Sequence, residues 1–254
     1  MVRRYGLRDD QWEKIKDLLP GRAGTVGVTA KDNRLFVEAV LYRYRAGIPW
    51  RDLPDRFGDW NNIARRHRRW AESGVWRSIF AHLAEDADNA YAMIDATIVR
   101  AHQHAAGKRG DKITECIGRS KGGLTTKIHA TCDARGNPTG FHLTPGQAHD
   151  LEGADALLPD IVADIHAFLA DKAYDAQERV LSVLATAGVK AVIPPKANRV
   201  VQRNYDKELY KIRHLIENFF AKLKQFRGIA TRYDKRASTF LGAIHLAAAV
   251  IWLN

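Results

Sequence analysis

From about residue 91 onward, the chain shows three strand-like segments and then a regular alternation of helix and strand. Residues 91–102 (YAMIDATIVRAH) are rich in strand formers. Residues 124–133 (LTTKIHATCD) alternate, turn at 133–138 through Gly136, and return as residues 139–144. Residues 150–165 then show helical spacing through Leu151, Leu157, Leu158, Ile161 and Val162. Residues 166–170 read as a short buried strand, and 175–187 as a helix. Residues 189–193 read as a strand stopped by Pro194 and Pro195. The spacing predicts a long helix over 210–227 and an apolar one over 238–252. A leading meander followed by alternating units predicts a mixed central sheet with helices on both faces. The order is that of a ribonuclease H-like α/β fold; a generic α/β sandwich is the alternative.

The first ninety residues carry helical periodicity only. Helices are expected over residues 7–19, stopped by Pro20, and over 31–46, ended by Gly47. Pro49 opens a short helix over 50–57, Gly58 makes a turn, and Asp59 caps a helix over 60–72. A further helix covers 75–83. The short helix, the turn and the helix after it make a helix-turn-helix-like pair. The second of the two helices offers Asn61, Asn62, Arg65, Arg66, Arg68 and Arg69 to DNA, because Asn matches adenine edges and Arg matches guanine or phosphate. The bland alternative is a small bundle with a solvated basic face. Trp50, Trp60, Trp70 and Trp76 are expected in its core. The sequence thus divides into an all-α domain, residues 1–90, and an α/β domain, residues 91–254.

Charge points to a polyanionic partner. The 254 residues carry 40 basic and 29 acidic side chains, a net +11. Residues 196–236 alone hold 12 basic against 4 acidic side chains. A concentrated stripe of this kind suits phosphate contacts, which release counterions. No apolar run approaches the ~20 residues needed to cross a bilayer, and no apolar segment follows Arg3 and Arg4 as in a signal peptide. Cys116 and Cys132 form no CxxC pair, so a reduced cytosolic setting is expected and a cysteine zinc site is not.

Three carboxylates stand out. Asp95 lies inside an apolar strand, where a charge is costly unless paired. Asp171 ends another strand, the usual place for ligands in open sheets. In the 210–227 helix, Ile212, Ile216, Phe219, Leu223 and Phe226 fall in an arc of roughly 80°. Tyr210, Arg213, Glu217 and Lys224 share a second arc about 130° away, which sets Glu217 among two cations and a tyrosine. Two strand-end Asp residues and a helical Glu are hard oxygen donors suited to two Mg²⁺ ions, with Mn²⁺ a ready substitute. Arg213 and Lys224 would hold phosphates beside them. Among lesser candidates, His149 could approach this site and Asp150 reads as a helix N-cap. Arg119, Lys121 and Lys127 with Gly122 and Gly123 could approach a phosphate backbone, as could the basic segment 196–211. His102 and His104 read as a solvated loop.

Asp95 in MIDATIVRAHQH, Asp171 in LADKAYDA and Glu217 in YKIRHLIENFFAKLKQFRGIATRY resemble the insertion-sequence transposases of the IS5/IS4 type, the DDE group. Tyr210, Arg213, Glu217 and Lys224 match their Y-x2-R-x3-E-x6-K signature. GRSKGGLTTKIHA, FHLTPGQAHDLEGADALL and IPWRDLPDRFGDW resemble other stretches of those proteins. The resemblance implies a ribonuclease H-like core in which Asp95, Asp171 and Glu217 bind divalent metal and Tyr210, Arg213 and Lys224 contact the element's end. It implies cleavage at terminal inverted repeats and strand transfer into target DNA, by a homodimer or larger assembly on DNA in the nucleoid. The rivals are a structure-specific nuclease of the same fold and a domesticated, non-catalytic DNA-binding protein.

Overall fold

The computed structural model describes residues 5–22, 24, 28–106 and 115–254. Its helices are α1 (Asp9–Ile15), α2 (Asn33–Ala46), α3 (Trp60–Glu72), α4 (Val75–Ala84), α5 (Leu151–Ile161), α6 (Ser182–Thr186), α7 (Lys207–Lys211), α8 (His214–Lys224), α9 (Arg227–Ala230) and α10 (Ala237–Trp252). Its strands are β1 (Ala92–Ala101), β2 (Gly118–Ser120), β3 (Gly123–Cys132), β4 (Pro138–Pro145), β5 (Ala167–Leu169), β6 (Lys190–Val192) and β7 (Thr231–Arg232). Compactness groups these elements differently from chain order. One unit takes Met1–Glu85, His102–Gly107 and Lys222–Asn254, and the other takes Asp86–Ala101 and Lys108–Ala221.

In the helical unit, Asp32 caps α2 by accepting the Leu35 N–H at 2.8 Å, and Gly47 ends it at φ 70°. Asp59 caps α3 through the Asn62 N–H at 2.7 Å, where the sequence places it. The buried stripe of α3 is Ile63, His67 and Trp70. The short helix expected over 50–57 is instead two single 3₁₀ turns, Trp50–Asp52 and Asp55–Phe57. Pro54 lies between them; it lacks an N–H and drives Leu53 into extended backbone, ψ 128°. Phe36, Trp70 and Trp76 pack together at the core, with ring centroids 4.9–6.0 Å apart, whereas Trp50 and Trp60 are only half-buried. α10 is buried almost all round. Gly242 lets it approach the earlier helices, because a Cβ there would meet Ala71 Cβ at 2.7 Å.

The sheet unit runs β2-β3-β1-β5-β6, with β4 also on β3. β1, β3 and β4 are antiparallel, and β1, β5 and β6 are parallel, so the sheet is mixed. The β3–β4 turn is held by buried Asp133, whose Oδ1 accepts the Arg135 and Asn137 N–H groups and whose Oδ2 accepts that of Asp88. Ala92 and Ile94 enter a core with Leu151, Leu158, Phe168, Val180 and Leu184. The pleat turns the next residue, Asp95, to the opposite face. The π turn Gln177–Leu181 leads into α6, so the expected 175–187 helix is shorter and irregular.

The structure departs from two further expectations. The helix over 210–227 is interrupted: α7 ends at Lys211 and α8 begins at His214. Bonds around the break run three residues back, from Ile212 to Leu209, Arg213 to Tyr210, Leu215 to Ile212 and Ile216 to Arg213. This tighter winding takes over where Arg213 reaches across to Asp95. Asp150 does not cap α5 with its side chain. Its carboxylate accepts from Lys127 Nζ at 2.7 Å, and the buried Lys127 also donates to the Ala148 carbonyl, so Lys127 is not free for phosphate.

Three buried histidines set the acid response. Burial holds His67, His129 and His245 down to about 4, below the ordinary 6.5. The unfolded chain therefore takes up protons first as pH falls below 6.5. Stability is full above that value and declines toward pH 4, by about 2 kcal/mol per histidine at pH 5. Thermal unfolding followed at pH 7.5 and pH 5 should show a clear fall in midpoint. His129→Gln should flatten the part of that fall that the sheet unit contributes.

Candidate active site

Asp95 sits near the middle of β1, half-buried. Its Oδ1 accepts the N–H of Ala96 at 2.7 Å, and its Oδ2 accepts from Arg213 Nη1 at 2.8 Å. β5 pairs with β1 so that Met93 is level with Leu169. Asp171 follows two residues after the end of β5, as Asp95 follows two residues after Met93 on β1. Asp171 caps a 3₁₀ turn, Lys172–Tyr174, through the Ala173 N–H at 2.8 Å. Burial raises the Asp95 carboxyl above the usual carboxylate range. Nearby Asp171 raises it further, against the lowering effect of the Ala96 N–H and Arg213. That coupling places the two aspartates in one electrostatic neighbourhood.

Glu217 enters through Arg213. The guanidinium donates to Asp95 with one nitrogen and to Glu217 with the other. Arg213 is 17% exposed and Glu217 55%, so the pair runs from a largely buried group to an open one. The interrupted helix thus still presents Arg213 and Glu217 together. Tyr210 is packed in the same corner, its ring 5.9 Å from the Arg213 guanidinium. Lys224 is exposed at the end of α8.

The donor chemistry of this corner is all oxygen, which fits a hard divalent cation. Arg213 already supplies one cationic group between Asp95 and Glu217. Among the described residues no group of three or more His, Cys, Asp or Glu side chains is spaced to hold a metal ion. Asp95 and Asp171 are the two carboxylates here whose charges act on one another. Beside them lies the buried hydroxyl of Tyr174, which has no protein hydrogen-bond partner; its pKa is raised, first by burial and then by the charges of Asp150, Asp95 and Asp171.

Other predicted residues lie elsewhere. Asn61, Asn62, Arg65, Arg68 and Arg69 are exposed on α3. Arg66 is different: it bonds Asn33 and lies over the Phe36 and Trp70 rings, so it packs the bundle. Arg119 and Lys121 are exposed on the tight β2–β3 hairpin, whose Gly123 sits at φ 93°. His149 Nδ1 accepts the Leu151 N–H at 3.2 Å, a helix-start role. In the basic segment, Arg199 and Arg203 fold back on buried Asp175, 3.0 and 2.8 Å away. Lys172 and Asn198, for which the sequence raised no expectation, line a cavity of about 340 Å³ with Asp171 and with Lys196 of the basic segment. Lys172 follows Asp171 directly, and that adjacency was the available signal.

Comparison with known proteins bears on this arrangement. The family described as "Transposase DDE domain" matches residues 91–252, and "Putative transposase of IS4/5 family" matches residues 7–80. An uncharacterized protein of Sinorhizobium fredii is 53% identical over 109 residues, 42% of this chain and 86% of that protein. A "Putative transposase for insertion sequence element IS6501" of Brucella ovis is 42% identical over 133 residues, 52% of this chain and all of that protein. An insertion element IS402 protein of Burkholderia cepacia is 30% identical over 107 residues, 37% of this chain and 73% of that protein. The protein is therefore a transposase, an enzyme class that cuts DNA and transfers strands. The chain belongs to the DDE transposase family of insertion sequences. Enzymes of that family act on DNA and use divalent metal ions. No helix among the described residues is long and apolar enough to cross a membrane.

Proposed function

We propose that Asp95, Asp171 and Glu217 form the catalytic triad, on a ribonuclease H-like core, and hold two Mg²⁺ ions that Mn²⁺ can replace. The observation that carries this reading is the Asp95–Arg213–Glu217 bridge, with Asp171 just beyond the end of the strand paired to that of Asp95. When bound, the ions activate an attacking oxygen and stabilise a leaving one. Water attacks the phosphodiester at the end of the element and frees a 3′-OH. That hydroxyl then attacks target DNA by the same in-line displacement, one P–O bond forming as another breaks. Arg213 balances the carboxylates, and with Tyr210 and Lys224 it binds the phosphates of the element's end.

Residues 1–90 serve DNA binding and residues 91–254 serve the chemistry. Asn61, Asn62, Arg65, Arg68 and Arg69 read the terminal inverted repeat, and Arg119 and Lys121 contact the backbone. Arg66 contributes by holding α3 in place, and His149 by shaping the start of α5. Joining two ends requires a dimer or larger assembly on DNA, within the nucleoid.

The test supplies purified protein with a duplex ending in a free 3′-OH, a supercoiled plasmid and Mg²⁺. Joined products that disappear with chelator are expected. Metal-dependent nicking without joining would indicate a nuclease, and DNA binding with neither would indicate a non-catalytic relative.

A further inference from the structure

Within the helical unit, two segments about 170 positions apart meet at one cationic cavity. It measures about 290 Å³ and is lined by Trp50, Asn61, Arg65 and Arg68 on one side and by Lys235 and Arg236 on the other. Arg65, Arg68, Lys235 and Arg236 are exposed. Among the described residues, Arg65, Arg68 and Lys235 have no ion-pair partner, while Arg236 is paired with Glu72 at 2.5 Å.

The turn that carries Lys235 is built, not loose. Buried Arg232 donates to the carbonyls of Asp234 and Lys235 at 2.9 and 3.2 Å. The Asp234 carboxylate accepts from Tyr44 Oη at 3.0 Å and Arg43 Nη1 at 3.3 Å. Tyr44 Oη in turn lies 3.1 Å from His67 Nε2, on the inner face of α3. A chain of buried polar contacts thus ties the 232–236 turn through α2 to the helix whose outer face carries Arg65 and Arg68. The backbone that carries these cations is therefore ordered before any ligand arrives, and only their side chains remain to be fixed on binding.

We propose that this cavity is a DNA-backbone phosphate site in which Lys235, from the far end of the chain, completes the basic face of α3. The charge decides the occupant. Unpaired guanidinium and ammonium groups converge from two walls, and the only carboxylate in the lining, Asp234, is already committed inward. The inference rests on the reading of α3 as a DNA-binding face and adds a second segment to it. A phosphate contact positions the helix without reading sequence.

The test measures binding of the full-length protein to random-sequence duplex DNA across a salt series. Lys235→Ala should weaken binding several-fold on any duplex and lower the slope of log affinity against log salt by about 0.9, one phosphate contact. Lys235→Glu should weaken it more. Arg68→Ala serves as the control for α3. If Arg68→Ala lowers the slope and Lys235→Ala does not, this inference fails and the α3 reading stands. If neither changes the slope, both fail.

Discussion

Asp95→Asn is expected to reduce Mg²⁺-dependent strand cleavage by roughly three orders of magnitude, about 4 kcal/mol of transition-state stabilisation. The substitution is nearly isosteric. The amide oxygen can still accept the Ala96 N–H, and Arg213 keeps Glu217 as a partner. The fold should therefore persist, and binding to DNA should be unchanged within a factor of two or so, since Asp95 carries no base or phosphate contact in the proposed reading. What changes is charge: one of the two aspartates no longer supplies an anionic oxygen for a hard cation. Cleavage of a supercoiled plasmid, measured beside duplex binding and thermal unfolding, separates these effects. Metal-dependent nicking by the variant at the wild-type rate would remove Asp95 from the triad. Loss of cleavage together with loss of folding would be resolved by Asp95→Glu, which keeps the charge and changes only its reach.

The largest effect on stability is expected at Asp234. Arg43 and Asp234 are 4% and 6% exposed, and Arg43 Nε already lacks a partner. Asp234→Ala leaves a buried guanidinium without its counter-charge and strips the Tyr44 hydroxyl of its acceptor. Breaking a buried pair by removing one partner costs about 3–5 kcal/mol. Urea unfolding should show a large drop in midpoint. Asp234→Asn keeps an acceptor for Tyr44 and should lose less. A pair of unchanged midpoints would mean that Arg43 is neutralised by other means. Because the same carboxylate fixes the 232–236 turn, Asp234→Asn should also reduce the contribution of Lys235 to DNA affinity.

Much of the architecture was legible locally. α3 begins and ends where the Asp59 cap and the Gly74 break put it. β1 and the β3–β4 hairpin follow from alternation and from the turn at Gly136. The buried positions Ile216, Phe219, Leu223 and Phe226 follow from helical periodicity, even though the helix is interrupted. These signals work because caps, turns and side-chain period act within a few residues of one another.

Several departures from the local pattern share a cause. The break at 212–213, the inward pairing of Lys127 with Asp150 and the folding back of Arg199 and Arg203 onto Asp175 are all charge pairings with distant partners. The contacts of Arg66 have a similar origin, because its guanidinium lies over aromatic faces of the bundle. No local pattern distinguishes an arginine that will face DNA from one that will face a buried carboxylate.

By itself, then, the order of residues determined the kinds of elements, their caps and the identity of the acidic and basic side chains available to them. Tertiary structure alone decided which of those charges meet. It brought Arg213 to Asp95 across 118 positions and set the C-terminal turn against α2 and α3. The physical reason is desolvation: a charge removed from water must find an opposite charge or a donor, and which one it finds depends on strand register and helix packing, not on its neighbours in sequence.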